Sequence, residues 1–471
     1  MKADFDKLNR AFNPQCVVVV GDKQDANFRW LRAQGSFKGK LYSVQVNPKT
    51  IEGIKALGIE NYTSLLDIPD TIDLVIAVVS RTVAINVLED CIRKEVAAAQ
   101  FFASGFSETG TEEGIKLERL LSEKAEKTSF QLIGPNCLGI FNPKVGVRQT
   151  ERQYSGITGS VGFISQSGSH AVTFAGEAHL QGVEINKSVN FGNGIVLDSA
   201  DFLEYFGSDP EIKAIGMYLE GVKDGRRFFK VLKEVSGLKP VVVWKGGRTE
   251  EGTRAIASHT GALAIHQAIW DTAVSQCGAT KVTSMEELID TLKALLYLSP
   301  VYGNRVAVVG GSGGQSVAIT DIFAEVGLKV PELTHESYDK LAPFFSLIGG
   351  SYCNPVDTGS GRHQLAPTLD ILEQDTNTDN LVLLARFRSL FGNPQNIEDD
   401  IALLASIRKR ESKTVLAILP YSTPEDMGKT IEITRKFQDV SSIPIFPSAQ
   451  RGALALRNAL NYYRLKNRFN G

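Results

Sequence analysis

Cysteine is scarce and scattered in this 471-residue chain: five residues, at 16, 91, 137, 277 and 353, with no CxxC pair. An odd count at wide spacing excludes a disulfide framework and a thiolate zinc site, and no metal site is expected; reduced thiols in the cytoplasm fit instead. Charge of one sign is missing too. Lys plus Arg is 51 against 53 Asp plus Glu, with no long basic run, so the footprint of a nucleic-acid binder is absent. The longest apolar runs, such as DLVIAVV at 73–79, are strand length. A bilayer span needs about 20 residues, so no membrane role is expected. The opening MKADFDKLNRAFNPQ has no apolar stretch that would make it a secretory signal. Three fingerprints are also lacking. No GxxxxGK[ST] occurs, FISQSGS does not have the GxSxG spacing of a nucleophile elbow, and VVVVGDKQDANF does not contain GxGxxG. The last absence argues against a nicotinamide-dependent dehydrogenase.

What is present is a repeated alternation. Short β-branched runs (CVVVVGD at 16–22, LYSVQVNP at 41–48, DLVIAVV, AAAQFFASGF at 97–106, FQLIGPNCLGIFNP at 130–143) are separated by helix-length segments. This is the pattern of parallel βαβ units. It restarts at GSVGFISQSGS (159–169), with later strands in VNFGN, IKAIGMYLEG and PVVVWKGG and a closing helix at 284–300. It restarts again at NRVAVVGGSGGQS (304–316), with later strands at 380–387, 414–421 and 443–448. The length suits about three domains of roughly 150 residues. The expected architecture is α/β throughout: a Rossmann-like domain over 1–150, then two flavodoxin-like parallel domains over 151–300 and 301–471.

Two strand-to-helix turns, SQSGS at 165–169 and GGSGGQS at 310–316, combine glycine with a helix start. There the backbone amides and the helix dipole, about half a positive charge, suit phosphate or carboxylate. A third stretch, RAIASHTGALA at 254–264, reads as a bare loop that sets His259, one of only six histidines, among small residues.

In order, IGPNCLGIFNP, GFISQSGS, DFLEYFGSDPEIKAIGMYLEG, PVVVWKGGRTEEGTRAIASHTGALA, GGSGGQSVAITD and NPVDTGSG closely resemble the α subunit of NDP-forming acyl-CoA synthetases. These are the ADP-forming acetate–CoA ligases, relatives of succinyl-CoA synthetase, and the resemblance spans nearly the whole chain. It implies a CoA-binding Rossmann domain followed by two flavodoxin-like domains. His259 would carry a phosphoryl group, with Glu220 fixing its tautomer from the other ring nitrogen. The amides of Ser167 and Gly168, and of Gly313 and Gly314, would cradle that group. Gly21, Lys23, Lys49, Arg81 and Asn136 would serve coenzyme A. ADP or ATP with Mg²⁺ would sit on an ATP-grasp module, which this chain has no room for. A partner β subunit is therefore implied, with acyl-CoA, phosphate and a carboxylic acid as the other reactants.

The sequence departs from the family in its first turn. Asp22 stands where a small residue is usual, and its carboxylate would face the CoA phosphates, with Lys23 and Arg29 as compensating cations. Ser80 and Arg81 replace a usual proline after the third strand. A non-catalytic CoA-binding or regulatory protein, akin to the N-terminal region of protein acetyltransferases, is the competing reading.

Overall fold

The computed structural model describes residues 3–259, 267–310, 313–345, 352–357, 364–385, 394–410, 412–420 and 424–470. The chain divides into two compact units, Met1–His179 with Glu184–Thr283, and Leu180–Val183 with Ser284–Gly471.

The first unit contains two six-stranded sheets. One is built from β1 (Cys16–Val20), β2 (Lys40–Val44), β3 (Glu60–Tyr62), β4 (Leu74–Ala77), β5 (Ala98–Phe101) and β6 (Gln131–Ile133) in the order β3-β2-β1-β4-β5-β6. All its pairs are parallel. β1, β4 and β5 are buried along their whole length, which is why they read as continuous apolar runs rather than alternating ones. The chain winds outward in opposite senses on either side of the β1/β4 pair. Beyond the carboxyl ends of such a pair the connections part and leave a crevice.

The stretch 130–143 reads as one strand but forms two. Gly134 (φ +100°) and Asn136 (φ +55°) turn the chain, and Pro135 between them has no donor for a ladder. The Asn136 N–H donates instead to the Ala103 carbonyl at 2.8 Å. The continuation, β7 (Gly139–Phe141), leaves the first sheet and pairs antiparallel with β9 of the second. That sheet also holds β8 (Val161–Ser165), β9 (Ile185–Asn190), β10 (Ala214–Leu219), β11 (Val241–Lys245) and β12 (Thr280–Val282), in the order β12-β11-β10-β8-β9-β7. Gln100 of β5 stitches the two sheets together. Its amide donates to Leu138 O at 3.1 Å and its oxygen accepts from Ile140 N at 3.0 Å. Phe12 packs its ring against Phe202, Tyr205 and Phe206, so one apolar core runs under both sheets.

The second unit, taken by itself, carries a parallel sheet of β13 (Val306–Gly310), β14 (Asn380–Leu384), β15 (Thr414–Ile418) and β16 (Ile445–Phe446) in that spatial order among the described residues. The helix Met285–Tyr297, which sequence pattern assigned to the 151–300 region, belongs to this unit and lies along Ala449–Asn470. It is buried nearly all round, with Asp290 paired to Arg451 at 2.6 Å. Lys293 is 1% exposed; its ammonium donates to Ile445 O at 2.9 Å and lies 5.2 Å from the Phe446 ring centroid.

Burial pushes the Lys293 pKa down from 10.5 to about 8. Folding therefore disfavours its charged form. The penalty is complete below the folded value of about 8 and lifts as pH rises toward the unfolded value of 10.5. The expected result is that the melting temperature of the native protein gains on that of Lys293→Met between pH 7 and 10. Differential scanning calorimetry of both proteins across that range checks it, and taking the difference cancels the thiols and tyrosines that titrate in the same window. Parallel pH profiles would refute it.

Candidate functional site

Glu220 follows β10 directly and is 6% exposed. Three neighbours fix it. The Gln166 side-chain oxygen accepts from Glu220 N at 2.9 Å and from Gly221 N at 3.2 Å. The Lys245 ammonium donates to Glu220 O at 2.8 Å and to Gly246 O at 2.6 Å. The Tyr218 hydroxyl reaches the Glu220 carboxylate at 3.4 Å. Parallel register explains the meeting: Leu219 is paired with Lys245 across β10 and β11, and Tyr218 lies two residues before Glu220 on the same face. Burial lowers the Lys245 pKa, opposed by the Glu220 charge, and raises that of Tyr218. Lys245 is thus a pin on two carbonyls at the strand ends rather than an open phosphate contact. His170 stands edge-on to Tyr218 at 4.3 Å and tilted to Trp244 at 4.8 Å, and burial depresses its pKa.

β11 leads through Gly246 and Gly247 (φ +66°) into the helix Glu250–His259. His259 is therefore the last residue of a helix, not the middle of a bare loop as the small residues suggested. Glu250 and Glu251 in the first turn favour the helix dipole, and the alanines that look loop-like are good helix formers. The helix lies against Ser107–Thr109 of the first sheet's domain. The His259 side chain and residues 260–266 lie outside the described residues.

Ser167 and Gly168 lie at the carboxyl end of β8, where Gly168 opens the 13-residue helix Gly168–Leu180. The first bond inside that helix runs from Ala171 N to Ser167 O at 3.1 Å, which leaves the amides before it outside the helical ladder. The turn is braced from β9: Asn190 donates to Ser165 O and Gln166 O at 3.0 Å and accepts from Leu138 N at 2.6 Å. Gly313 and Gly314 open the helix Gly313–Glu325 in the second compact unit, after Gly310 (φ +95°); residues 311 and 312 lie outside the described residues.

A cleft of about 510 Å³ opens at the β1/β4 switch point of the first sheet. Lys23, Arg29, Arg81 and Phe102 line it, together with Asp22 and Ser104. Gly21 (φ +83°) makes the turn after β1, where a Cβ would come within 2.7 Å of Val79 Cγ1, but is not itself among the residues that line the cleft. Arg81 is engaged by the Gly105 carbonyl and, at 2.6 Å, by Glu113. Lys49, second residue of the helix Pro48–Ala56, and Asn136 are not among the residues that line the cleft. The Asn136 amide lies 3.4 Å from Asn193 Oδ1, and Asn193 in turn is held by Glu108 and Glu118.

Asp22 does not face the cleft as a bare charge. It is 1% exposed and accepts from Lys23 N at 2.9 Å, Trp30 N at 3.0 Å and Leu31 N at 2.9 Å. The expected electrostatic clash with a ligand is replaced by an internal cap. Cys137 is buried and its pKa is pushed up to about 12, which leaves it a packing residue. Among the described residues no group of three or more His, Cys, Asp and Glu is placed to hold a metal, and no helix is long and apolar enough to cross a membrane.

These features define a CoA-binding Rossmann domain joined to a ligase-type flavodoxin domain. The CoA binding domain family matches residues 16–143, and the succinyl-CoA ligase like flavodoxin domain matches residues 158–295. The α subunit of acetate–CoA ligase [ADP-forming] II from Pyrococcus furiosus is 34% identical over 95% of this chain and 96% of its own length. Acetate–CoA ligase [ADP-forming] I from Archaeoglobus fulgidus is 36% identical over 79% of this chain, which covers 54% of that longer protein. Dinucleotide-forming acetyl-coenzyme A synthetase 1 from Ca. Korarchaeum cryptofilum, solved with phosphate and ADP, superposes with a TM-score of 0.82 at 29% identity, covering 98% of this chain and 97% of that one. The chain belongs to the family of ADP-forming acetate–CoA ligase α subunits.

Proposed function

We propose that this chain is the catalytic α subunit of an ADP-forming acyl-CoA synthetase. The observation that carries the reading is the buried Glu220, its main chain pinned by Gln166 and Lys245 at the end of β10, beside the strand that leads into the helix Glu250–His259. In the net reaction, acyl-CoA, phosphate and ADP give carboxylic acid, CoA and ATP. Phosphate attacks the thioester carbonyl, giving acyl phosphate and releasing CoA. A neutral imidazole nitrogen of His259 then attacks phosphorus and the carboxylate leaves. Finally, the phosphoryl group passes from His259 to ADP. Glu220 accepts a hydrogen bond from the N–H of the second ring nitrogen, which fixes the tautomer and leaves the attacking nitrogen free; its charge also stabilises the positive charge that develops on the ring. Amides at Ser167 and Gly168, with those at Gly313 and Gly314, hold the transferring group.

The cleft at the β1/β4 switch point takes CoA, with Lys23, Arg29 and Arg81 as its cations. ADP and Mg²⁺ belong to an ATP-grasp β subunit, the partner that net turnover requires. The functional division follows the three regions 1–150, 151–300 and 301–471, and five cysteines outside any disulfide suit a reducing cytoplasm.

The test is ATP formation from acetyl-CoA, phosphate and ADP by this chain mixed with an ATP-grasp β subunit. Turnover that needs both chains supports the reading. CoA binding without turnover would leave the non-catalytic regulatory reading in its place.

A further inference from the structure

In a Rossmann domain the amides at the start of the first helix after β1 are the usual resting place of a diphosphate. Here the chain supplies its own anion to them. Asp22 Oδ2 takes Trp30 N at 3.0 Å and Leu31 N at 2.9 Å, both in the first turn of the helix Arg29–Ala33, while Oδ1 takes Lys23 N at 2.9 Å. The arrangement is built in rather than incidental. Asn27 (φ +53°) and Phe28 (φ +51°) both adopt the left-handed conformation that brings those amides round to Asp22. The Phe28 ring in turn fills the space where a Gly53 side chain would stand, with Cζ only 2.5 Å from a Cβ there. Strain of this kind persists where surrounding packing over-determines it.

An anionic ligand in the cleft must therefore be met by side chains. Arg81 is already engaged by Gly105 O and Glu113. Lys23 stands exposed at the rim. Arg29 is exposed, and its guanidinium lies 5.7 Å from the Trp30 ring and 6.0 Å from the Phe102 ring, which steer it over the cleft. The single carboxylate lining the cleft is Asp22, whose oxygens are taken by main-chain donors.

We infer that Arg29 is the principal diphosphate-binding residue of this chain, in place of a main-chain turn that Asp22 fills. The inference rests on the assignment of the cleft to CoA. The planar guanidinium, with its Cζ 5.7 Å from the Trp30 ring and 6.0 Å from the Phe102 ring, offers paired N–H donors to a diphosphate oxygen pair.

Isothermal titration of the full chain with CoA and with dephospho-CoA, which keeps the diphosphate but lacks the 3′-phosphate, tests it. Arg29→Gln is expected to weaken both ligands alike, by about tenfold to a hundredfold, the scale of a hydrogen bond to a charged group. Arg29→Lys should fall between, because a point charge keeps the attraction but loses the paired geometry. An unchanged melting temperature for both variants shows that the loss is one of binding. Wild-type affinity in Arg29→Gln overturns the inference, as does a loss confined to CoA, which would assign Arg29 to the 3′-phosphate. A native chain that binds neither ligand overturns the assignment of the cleft itself, and this inference with it.

Discussion

His259→Ala is expected to abolish phosphoryl capture and to lower net turnover by about 10⁴-fold or more, the scale seen when a nucleophile is removed from a group that acts as a unit. The reaction has no detour around the residue. In the proposed scheme acyl phosphate forms where CoA is held, ADP is bound on a separate module, and only a covalent carrier joins the two. Native protein incubated with acetyl-CoA and labelled phosphate should take up acid-labile, alkali-stable label, the signature of a phosphoramidate. The alanine variant should take up none. Label that persists in His259→Ala, or that survives acid, would remove the phosphohistidine from the scheme.

Glu220→Gln is expected to slow phosphorylation of the histidine by about 10²- to 10⁴-fold, the scale of a lost carboxylate beside a catalytic imidazole. The substitution is unusually clean here. Gln166 holds the backbone N–H of residue 220 and Lys245 holds its carbonyl, so the main chain keeps its place when the side chain loses its charge. In the proposed scheme what disappears is the negative charge that counters the developing imidazolium; the amide oxygen left behind is a neutral, weaker acceptor for the second ring N–H. Single-turnover labelling separates this from a binding defect: the rate should fall while CoA affinity, measured by titration, stays put. Equal labelling rates in the two proteins would reduce Glu220 to a structural strand-end charge.

Much of this was open to reading in the chain itself, for a physical reason. Strands buried on both faces are mostly apolar, so β1 and β4 announce themselves as runs of Val, Ile and Leu and β8, β10 and β11 as largely apolar stretches, whereas β9, INKSVN, is fully buried and yet half polar. Strands of three residues, such as β3 and β12, are too short to carry a period. The split of 130–143 into two sheets depends on which partner each half finds, and no local pattern encodes that. The same holds at the site. The motif singles out Glu220 as a candidate, but the bond of its carbonyl to Lys245 follows from register between β10 and β11. Asp22 looked like a charge aimed at the ligand because its chemistry is written in the sequence and its orientation is not. That orientation depends on amides brought back by Asn27 and Phe28, and phenylalanine, unlike asparagine, is not a typical left-handed residue. The small residues around His259 pointed to a loop because alanine and glycine were read for their bulk, whereas alanine's preference for helix decides the backbone through 259.

The Gln100 staple has a practical corollary. By offering a donor and an acceptor to Leu138 and Ile140, this one amide imitates a short length of strand, and Gly139 has no room for a side chain beside it, since a Cβ would lie 2.0 Å from Gln100 Oε1. A graft that exchanges only the coenzyme-handling half for that of a relative would cut through this joint and through the shared aromatic seam beneath it. Chimaeras of this enzyme should therefore be spliced after Thr283, at the edge of the first compact unit, rather than between its two sheets.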